Sequence, residues 1–252
     1  MNTDLFTKEN LVEEPCATIL ITHGLGEHSG RYDEWVFDLN QADISVFRYD
    51  LPGHGKSRSG SWLFKDFDEL LTALQSQYQM ALEYSETKKV PLFLFGHSMG
   101  GLITADFVTR FDPQVRGVIL SAPALDAGEV VKPWMISMAK WLRKIVPGLP
   151  ILQVPPEQLS RNPEVVSDYK EDPLVYHGKI RVNTGYELLF RTEAVKARVN
   201  EFRRPVLIVQ GQDDKIVRPE VAKSFFDDLQ VEDKTWHSYE GMYHEVLNDI
   251  RR

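Results

Sequence analysis

Pro91-Leu92-Phe93-Leu94-Phe95, followed at once by Gly96-His97-Ser98-Met99-Gly100-Gly101, is the stretch on which the fold turns. Its first five residues are apolar and partly aromatic, as a short strand covered on both faces should be. From Gly100 to Phe111 the apolar residues recur at helical spacing. Between the two lies G-x-S-x-G, the motif in which a serine sits on a sharp strand-to-helix turn with its hydroxyl exposed above a sheet. The glycines permit the close backbone approach that such a turn needs. The strand before the motif and Gly101 after it set this occurrence apart from a chance pentapeptide.

Working outward, Ala17–Thr22 (ATILIT), Ile44–Tyr49 (ISVFRY), Val118–Leu120 and Val206–Val209 are further short runs rich in branched or aromatic residues. Each reads as a buried strand. Asp66 caps a helix whose apolar positions are Leu70, Leu71, Leu74, Tyr78 and Leu82, and Glu220 to Leu229 has the same spacing. Strands alternating with helices predict an α/β fold with a mostly parallel sheet and helices on both faces. From Asp126 to Arg198 the alternation fails, and Pro133, Pro147, Pro150, Pro155, Pro156, Pro163 and Pro173 interrupt the chain. This stretch is expected to be a small helical lid, residues 126–198, inserted into a core made of residues 1–125 and 199–252.

The 252 residues fit one domain, and 42% apolar content is enough for a full core. A net charge of −8 argues against a nucleic-acid partner and gives no general attraction to anionic lipid. Any membrane contact is therefore expected to be local and apolar. Cys16 is the sole cysteine, so no intrachain disulfide forms. The stretch MNTDLFTKEN lacks the apolar region of a signal peptide, and no apolar run approaches the ~18 residues of a membrane span. The expected location is the cytoplasm.

A serine hydroxyl attacks a carbonyl only when a base takes its proton, and the base needs an acid to orient it. After such an elbow the chain order is Ser, then Asp or Glu, then His. Gly211-Gln212-Asp213-Asp214 follows the strand-like VLIVQ, and spacing alone leaves Asp213 and Asp214 both open. His237 and His244 are the only later histidines. His237 falls inside the strand-like Thr235–Tyr239, whereas His244 follows Gly241 in a loop and is the expected base. The Met99 N–H is the first oxyanion donor, and the glycine-rich turn His23-Gly24-Leu25-Gly26 offers the Leu25 N–H as the second. The spacings around His23 and His54 match no metal-ligand pattern, so neither a metal nor another cofactor is expected. Gly53-His54-Gly55-Lys56-Ser57 ends like a phosphate loop, but Asp50 stands where the first glycine belongs.

From about Ile19 to Leu247 the chain resembles the monoacylglycerol lipase and lysophospholipase group of α/β-hydrolases. The resemblance rests on the blocks His23 to Tyr32 (HGLGEHSGRY), Asp50 to Ser57 (DLPGHGKS), Gly96 to Gly101, Ser121 to Leu125, Leu159 to Asn162, and Asp172-Pro173-Leu174. It implies the α/β-hydrolase fold, with Ser98 as nucleophile, Asp214 as acid, His244 as base, and the Leu25 and Met99 amides as oxyanion hole. The implied reaction is cleavage of monoacylglycerols to fatty acid and glycerol, with lysophospholipase or general carboxylesterase activity as the alternative. A non-catalytic binding module is disfavoured because all three triad members are available. Proline-type aminopeptidases share the fold but need an acidic site for an amine, which the sequence does not offer.

The resemblance also makes Arg31 and Glu164 candidates for the polar end of the substrate. In the lid, Pro133–Val146 places Trp134, Met138, Trp141 and Ile145 on one helical face, with Ser137, Lys140 and Lys144 opposite. Trp134 and Ile145 are the candidates there for contact with an acyl chain. Such a face is more often packed on its own domain than on ligand. The sharper expectation is a small lipid ester as substrate and transient contact with a membrane or micelle through the lid.

Overall fold

The computed structural model describes residues 5–57, 64, 66–125 and 140–250. Strand β1 is Thr7–Asn10, β2 Ala17–Thr22, β3 Ile44–Tyr49, β4 Leu92–His97 and β5 Gly117–Ser121. Pro150–Leu152 (β6) and Ile180–Arg181 (β7) precede β8, Val206–Gly211, and β9, Lys234–Tyr239. The main sheet has the order β1-β3-β2-β4-β5-β8-β9. All its pairings are parallel except that of β1 with β3. Every run read as a strand from its composition lies in this sheet, and all six residues of β2 are buried.

Because successive strand side chains point to opposite faces, each central strand feeds two cores. Leu20, Leu92 and Leu94 join the larger one, with Leu70, Leu71 and Leu74 of helix α2 (Asp68–Lys88) and Leu102, Phe107 and Val108 of α3 (Met99–Phe111). Ile19, Ile21 and Phe95 face the other way, where Val36 of α1 (Asp33–Gln41) covers them. Asp66 accepts the Glu69 N–H at 3.2 Å, near the start of α2. Burial of one such leucine contributes about 1.5–3 kcal/mol, so the α2 stripe alone anchors that helix firmly.

Between β5 and β8 the main sheet gains no strand from the described residues. The stretch is more varied than a set of short helices. β6 and β7 pair with each other in a separate antiparallel ribbon. Helix α4 is Pro163–Glu171 and α5 is Val182–Ala197, and residues 140–145 are also helical. Helix α5 is part of the body of the molecule, since Val195 is fully buried in the larger core. α6, Pro219–Asp228, follows β8 and buries Phe225 in that core. Among the described residues no helix is long and apolar enough to cross a membrane.

Candidate active site

At the end of β4 the chain must turn within one residue to start α3. Ser98 does this with φ 52° and ψ −118°, a conformation that costs a residue with a side chain about 1–3 kcal/mol. The surroundings hold it there. Its N–H donates to the Ser121 carbonyl (2.9 Å), and its carbonyl accepts from Ala124 (2.9 Å) and Leu102 (3.1 Å). Gly100 makes the turn possible, because a Cβ there would lie 2.2 Å from the Thr22 carbonyl oxygen.

His244 and Asp214 come from loops after β9 and β8. The histidine loop passes so close over Gly211 that a Cβ there would lie 2.1 Å from the Tyr243 carbonyl oxygen. The Asp213 N–H donates to the Met242 carbonyl at 3.0 Å. This contact sets Asp214 against the imidazole, with His244 Nδ1 2.8 Å from Asp214 Oδ2. Asp214 Oδ1 accepts the N–H groups of Ile216 (2.8 Å) and Val217 (3.0 Å), and Gln210 Nε2 donates to Oδ2 at 2.8 Å. Asp213, the alternative that spacing left open, is exposed, and so is His237 on the edge strand β9.

Charge and burial are tuned around this pair. Burial pushes the His244 imidazole down, but the Asp214 carboxylate overrides it and holds the pKa above the ordinary 6.5. Burial likewise favours a neutral Asp214, yet His244 and the two backbone N–H groups hold it below the usual carboxylate range. His97, its ring centroid 4.8 Å from that of His244, is pushed down to about 4 by burial and by its neighbour. It is therefore neutral near pH 7, with Nδ1 3.1 Å from the Ser121 carbonyl oxygen.

Ser98, His244, Leu25 and Met99 all line one cavity of about 430 Å³. Its wall is mostly apolar, with Leu159, Leu188 and Val217 among the contributors. Ile151 and Leu152 line it while remaining more than half exposed, so they mark its mouth. No hydrogen bond among the described residues joins Ser98 to His244, a contact that commonly tightens only in the substrate complex. The Met99 N–H belongs to the first turn of α3, where a helix has no internal acceptor to offer.

The remaining candidates are placed elsewhere. Arg31 does not line this cavity. Its Nη1 and Nη2 lie 2.5 and 2.8 Å from the two carboxylate oxygens of Glu245, so the guanidinium serves an ion pair rather than a substrate. Glu164 is exposed in the first turn of α4, beside a separate recess with Asn162 and Asn248. Ile145 is 57% exposed and absent from the cavity wall, because its helical stretch turns that side outward. Trp134 and Met138 lie outside the described residues. His23 and His54 are buried and tie loops together: His23 Nε2 accepts the Leu51 N–H at 2.9 Å, and His54 Nδ1 lies 3.0 Å from the Pro52 carbonyl oxygen. Glu27, His97, Gln210 and Glu245 surround the site without having been singled out. Glu27 and Glu245 stand directly beside quoted residues, but no spacing rule marks them.

The sequence profile of Hydrolase_4, the serine aminopeptidase S33 family, matches residues 13–251. Over 236 residues the chain is 31% identical to monoacylglycerol lipase of Mycolicibacterium smegmatis, covering 94% of this chain and 84% of that one. The chain belongs to the Hydrolase_4 family of serine hydrolases, among the monoacylglycerol lipases. Monoglyceride lipase of Rattus norvegicus is 34% identical over 238 residues, 94% of this chain and 78% of that one. The crystal structure of Paleococcus ferrophilus monoacylglycerol lipase superposes with a TM-score of 0.84 at 34% identity, covering 98% of this chain and 92% of that chain. As a member of this family the protein is a carboxylic-ester hydrolase of the α/β-hydrolase fold.

Proposed function

We infer that this chain hydrolyses monoacylglycerols to a fatty acid and glycerol through an acyl-enzyme on Ser98. The observation that carries the reading is a strained serine and a His–Asp pair opening on one apolar cavity large enough for an acyl chain. In the first half-reaction His244 Nε2 takes the Ser98 proton while Oγ bonds to the ester carbonyl carbon. The oxyanion receives the Leu25 and Met99 N–H groups, each worth about 10²–10³ in turnover. The tetrahedral carbon then expels the glycerol oxygen, which leaves with the proton held on His244. Water enters, gives a proton to His244, attacks the acyl carbon and releases the fatty acid, and the proton returns to Ser98. Asp214 stays ionised throughout and orients the imidazole.

The expected division into a lid of residues 126–198 and a core of residues 1–125 and 199–252 is kept here with one change: helix α5, whose Val195 is packed in the larger core, is counted with the core. Trp141, Ile145, Leu149, Ile151 and Leu152 are all substantially exposed, and Ile151 and Leu152 line the cavity. This apolar surface suits brief contact with a membrane or micelle that holds the substrate. A single exposed Cys16 fits work in a reducing cytoplasm, with the protein peripheral at a lipid surface. An aminopeptidase reading fares worse. Among the described residues the acidic side chains on the cavity wall, Glu27 and Glu245, are already committed to Arg31 and would leave a substrate amine without a carboxylate. Turnover on matched panels of monoacylglycerols, lysophospholipids and p-nitrophenyl esters tests the assignment. Preference for monoacylglycerols, lost in Ser98→Ala, is expected; preference for lysophospholipids would overturn it.

A further inference from the structure

Three charged side chains are buried at the cavity, two on its wall and one behind them. Glu27 follows the oxyanion turn, Arg31 lies one turn later, and Glu245 is the residue after His244. Glu27 and Glu245 are about 95% buried, and the Arg31 side chain is 9% exposed. Burying charge is expensive, and replacing such a group by apolar residues is often neutral or stabilising. A stability role is therefore a weak explanation for it.

The contacts suggest another. Glu27 Oε1 accepts the Gly24 N–H (2.6 Å) and the Tyr32 hydroxyl (2.9 Å), which pins the turn that carries the Leu25 amide. Glu27 Oε2 lies 3.2 Å from Arg31 Nη1. The same guanidinium grips Glu245 through both nitrogens, and the Glu245 N–H donates to the Leu159 carbonyl (2.8 Å). Arg31 also stacks 4.8 Å above the ring of Tyr169 on α4, which lines the cavity.

We propose that Arg31, clamped between Glu27 and Glu245, is the positioning residue that sets the oxyanion turn and the His244 loop at their working separation. Its guanidinium joins the two loops directly, with Glu27 on one side and Glu245 on the other. The proposal rests on the triad reading above. Loss of catalysis through a misplaced base or donor appears in kcat, because both act in the transition state and neither holds the ground-state ester.

The groups that face His244 are Asp214 after β8, His97 at the end of β4, Glu27 after β2 and Glu245 in its own loop; Arg31 supplies the cation of the cluster. The test compares Arg31→Gln, Arg31→Lys and Glu245→Gln with wild type, each normalised to active sites titrated with a fluorophosphonate. Arg31→Gln is expected to lower kcat about 10- to 100-fold, with KM changed less than about threefold. Arg31→Lys, which restores charge without the fork, recovers only part. The acid limb of kcat/KM moves up in Arg31→Gln, where two carboxylates lose their cation, and down in Glu245→Gln, where one carboxylate disappears. Glu245→Gln preserves shape and carries the test if Arg31→Gln fails to fold. An unchanged kcat per titrated site together with an unmoved acid limb in Glu245→Gln would overturn the proposal. Failure of the triad reading looks different: Ser98→Ala would then keep its activity whatever Arg31 does.

Discussion

Replacing Asp214 by asparagine changes one oxygen into an NH₂ and leaves the side-chain shape intact. The structure decides which way the amide turns. Asp214 Oδ1 accepts two backbone N–H groups, from Ile216 and Val217, and these have no other acceptor to turn to. The asparagine oxygen must stay there, so its NH₂ takes the place of Oδ2 and faces Gln210 Nε2 and His244 Nδ1. Gln210 can turn its partnerless Oε1 toward that NH₂ only by giving up the longer bonds of its Nε2 to the Val217 and Gly211 carbonyls. His244 does not escape so easily. Nδ1 must now accept, which moves the imidazole proton to Nε2, the nitrogen required to take the proton of Ser98. Loss of the correct tautomer with geometry preserved costs about 10⁴ in kcat in the best-understood triads, equivalent to about 5 kcal/mol of transition-state stabilisation. Steady-state turnover of a soluble p-nitrophenyl ester near neutral pH measures it, with a thermal melt to verify folding. A well-folded Asp214→Asn enzyme slowed less than about tenfold would refute the assignment of Asp214 as the orienting acid.

Other expectations are equally specific. Activity needs neutral His244, whose pKa is raised, so the acid limb of kcat/KM should lie above pH 6.5; a limb well below that value contradicts the ion pair. The stability effect has the opposite sign, because a raised folded-state pKa contributes stability below the unfolded value that is lost as pH rises through the folded one, and urea midpoints across this range read it. Gly100→Ala forces a Cβ against the Thr22 and His23 carbonyl oxygens at 2.2 and 2.4 Å, both backbone and unable to swing aside. A loss of about 3 kcal/mol or more in urea unfolding is expected, and an unchanged midpoint would show that the elbow is looser than described. Trp141→Ser with Ile145→Ser removes two exposed apolar side chains of the helical stretch 140–145. Turnover on micellar monoacylglycerol should fall about tenfold while hydrolysis of a soluble ester holds; equal effects on both would argue against a lipid-contact role.

Much of the scaffold could be read from the chain because central parallel strands are buried on both faces and must be apolar throughout. β2, β4, β5 and β8 obey that rule along their middles, while β3 carries the buried Arg48, whose guanidinium is paired with Asp33 and Asn10. β1 does not: Thr-Lys-Glu-Asn at the sheet edge pairs on one side only and is exposed, so nothing hydrophobic marks it. The β6–β7 ribbon is too short for a periodic signal and exists through pairing of residues distant in sequence, Pro150 with Arg181 and Leu152 with Ile180. In the site, Ser98 and His244 follow from motif and loop context. Choosing Asp214 over Asp213 by spacing fails, because adjacent residues differ only in the direction their side chains take, and that is set by the Met242 and Gly211 contacts. Arg31 and Glu164 illustrate the reverse limit. A charged residue beside a motif looks like a ligand contact until its partner is known, and Glu245 lies 214 positions from Arg31. Periodicity groups Ile145 with Trp141 on one helical face, yet only tertiary packing tells which side of a helix meets the cavity, and both side chains are exposed.

The most direct test of the whole account is to trap the covalent step and locate it. Enzyme treated with a fluorophosphonate, or quenched during turnover of a monoacylglycerol, is digested and its peptides are weighed by mass spectrometry. One adduct is expected, on Ser98, absent after Ser98→Ala and formed far more slowly after His244→Ala. An adduct on any other residue, or full turnover of monoacylglycerol by Ser98→Ala, would contradict it.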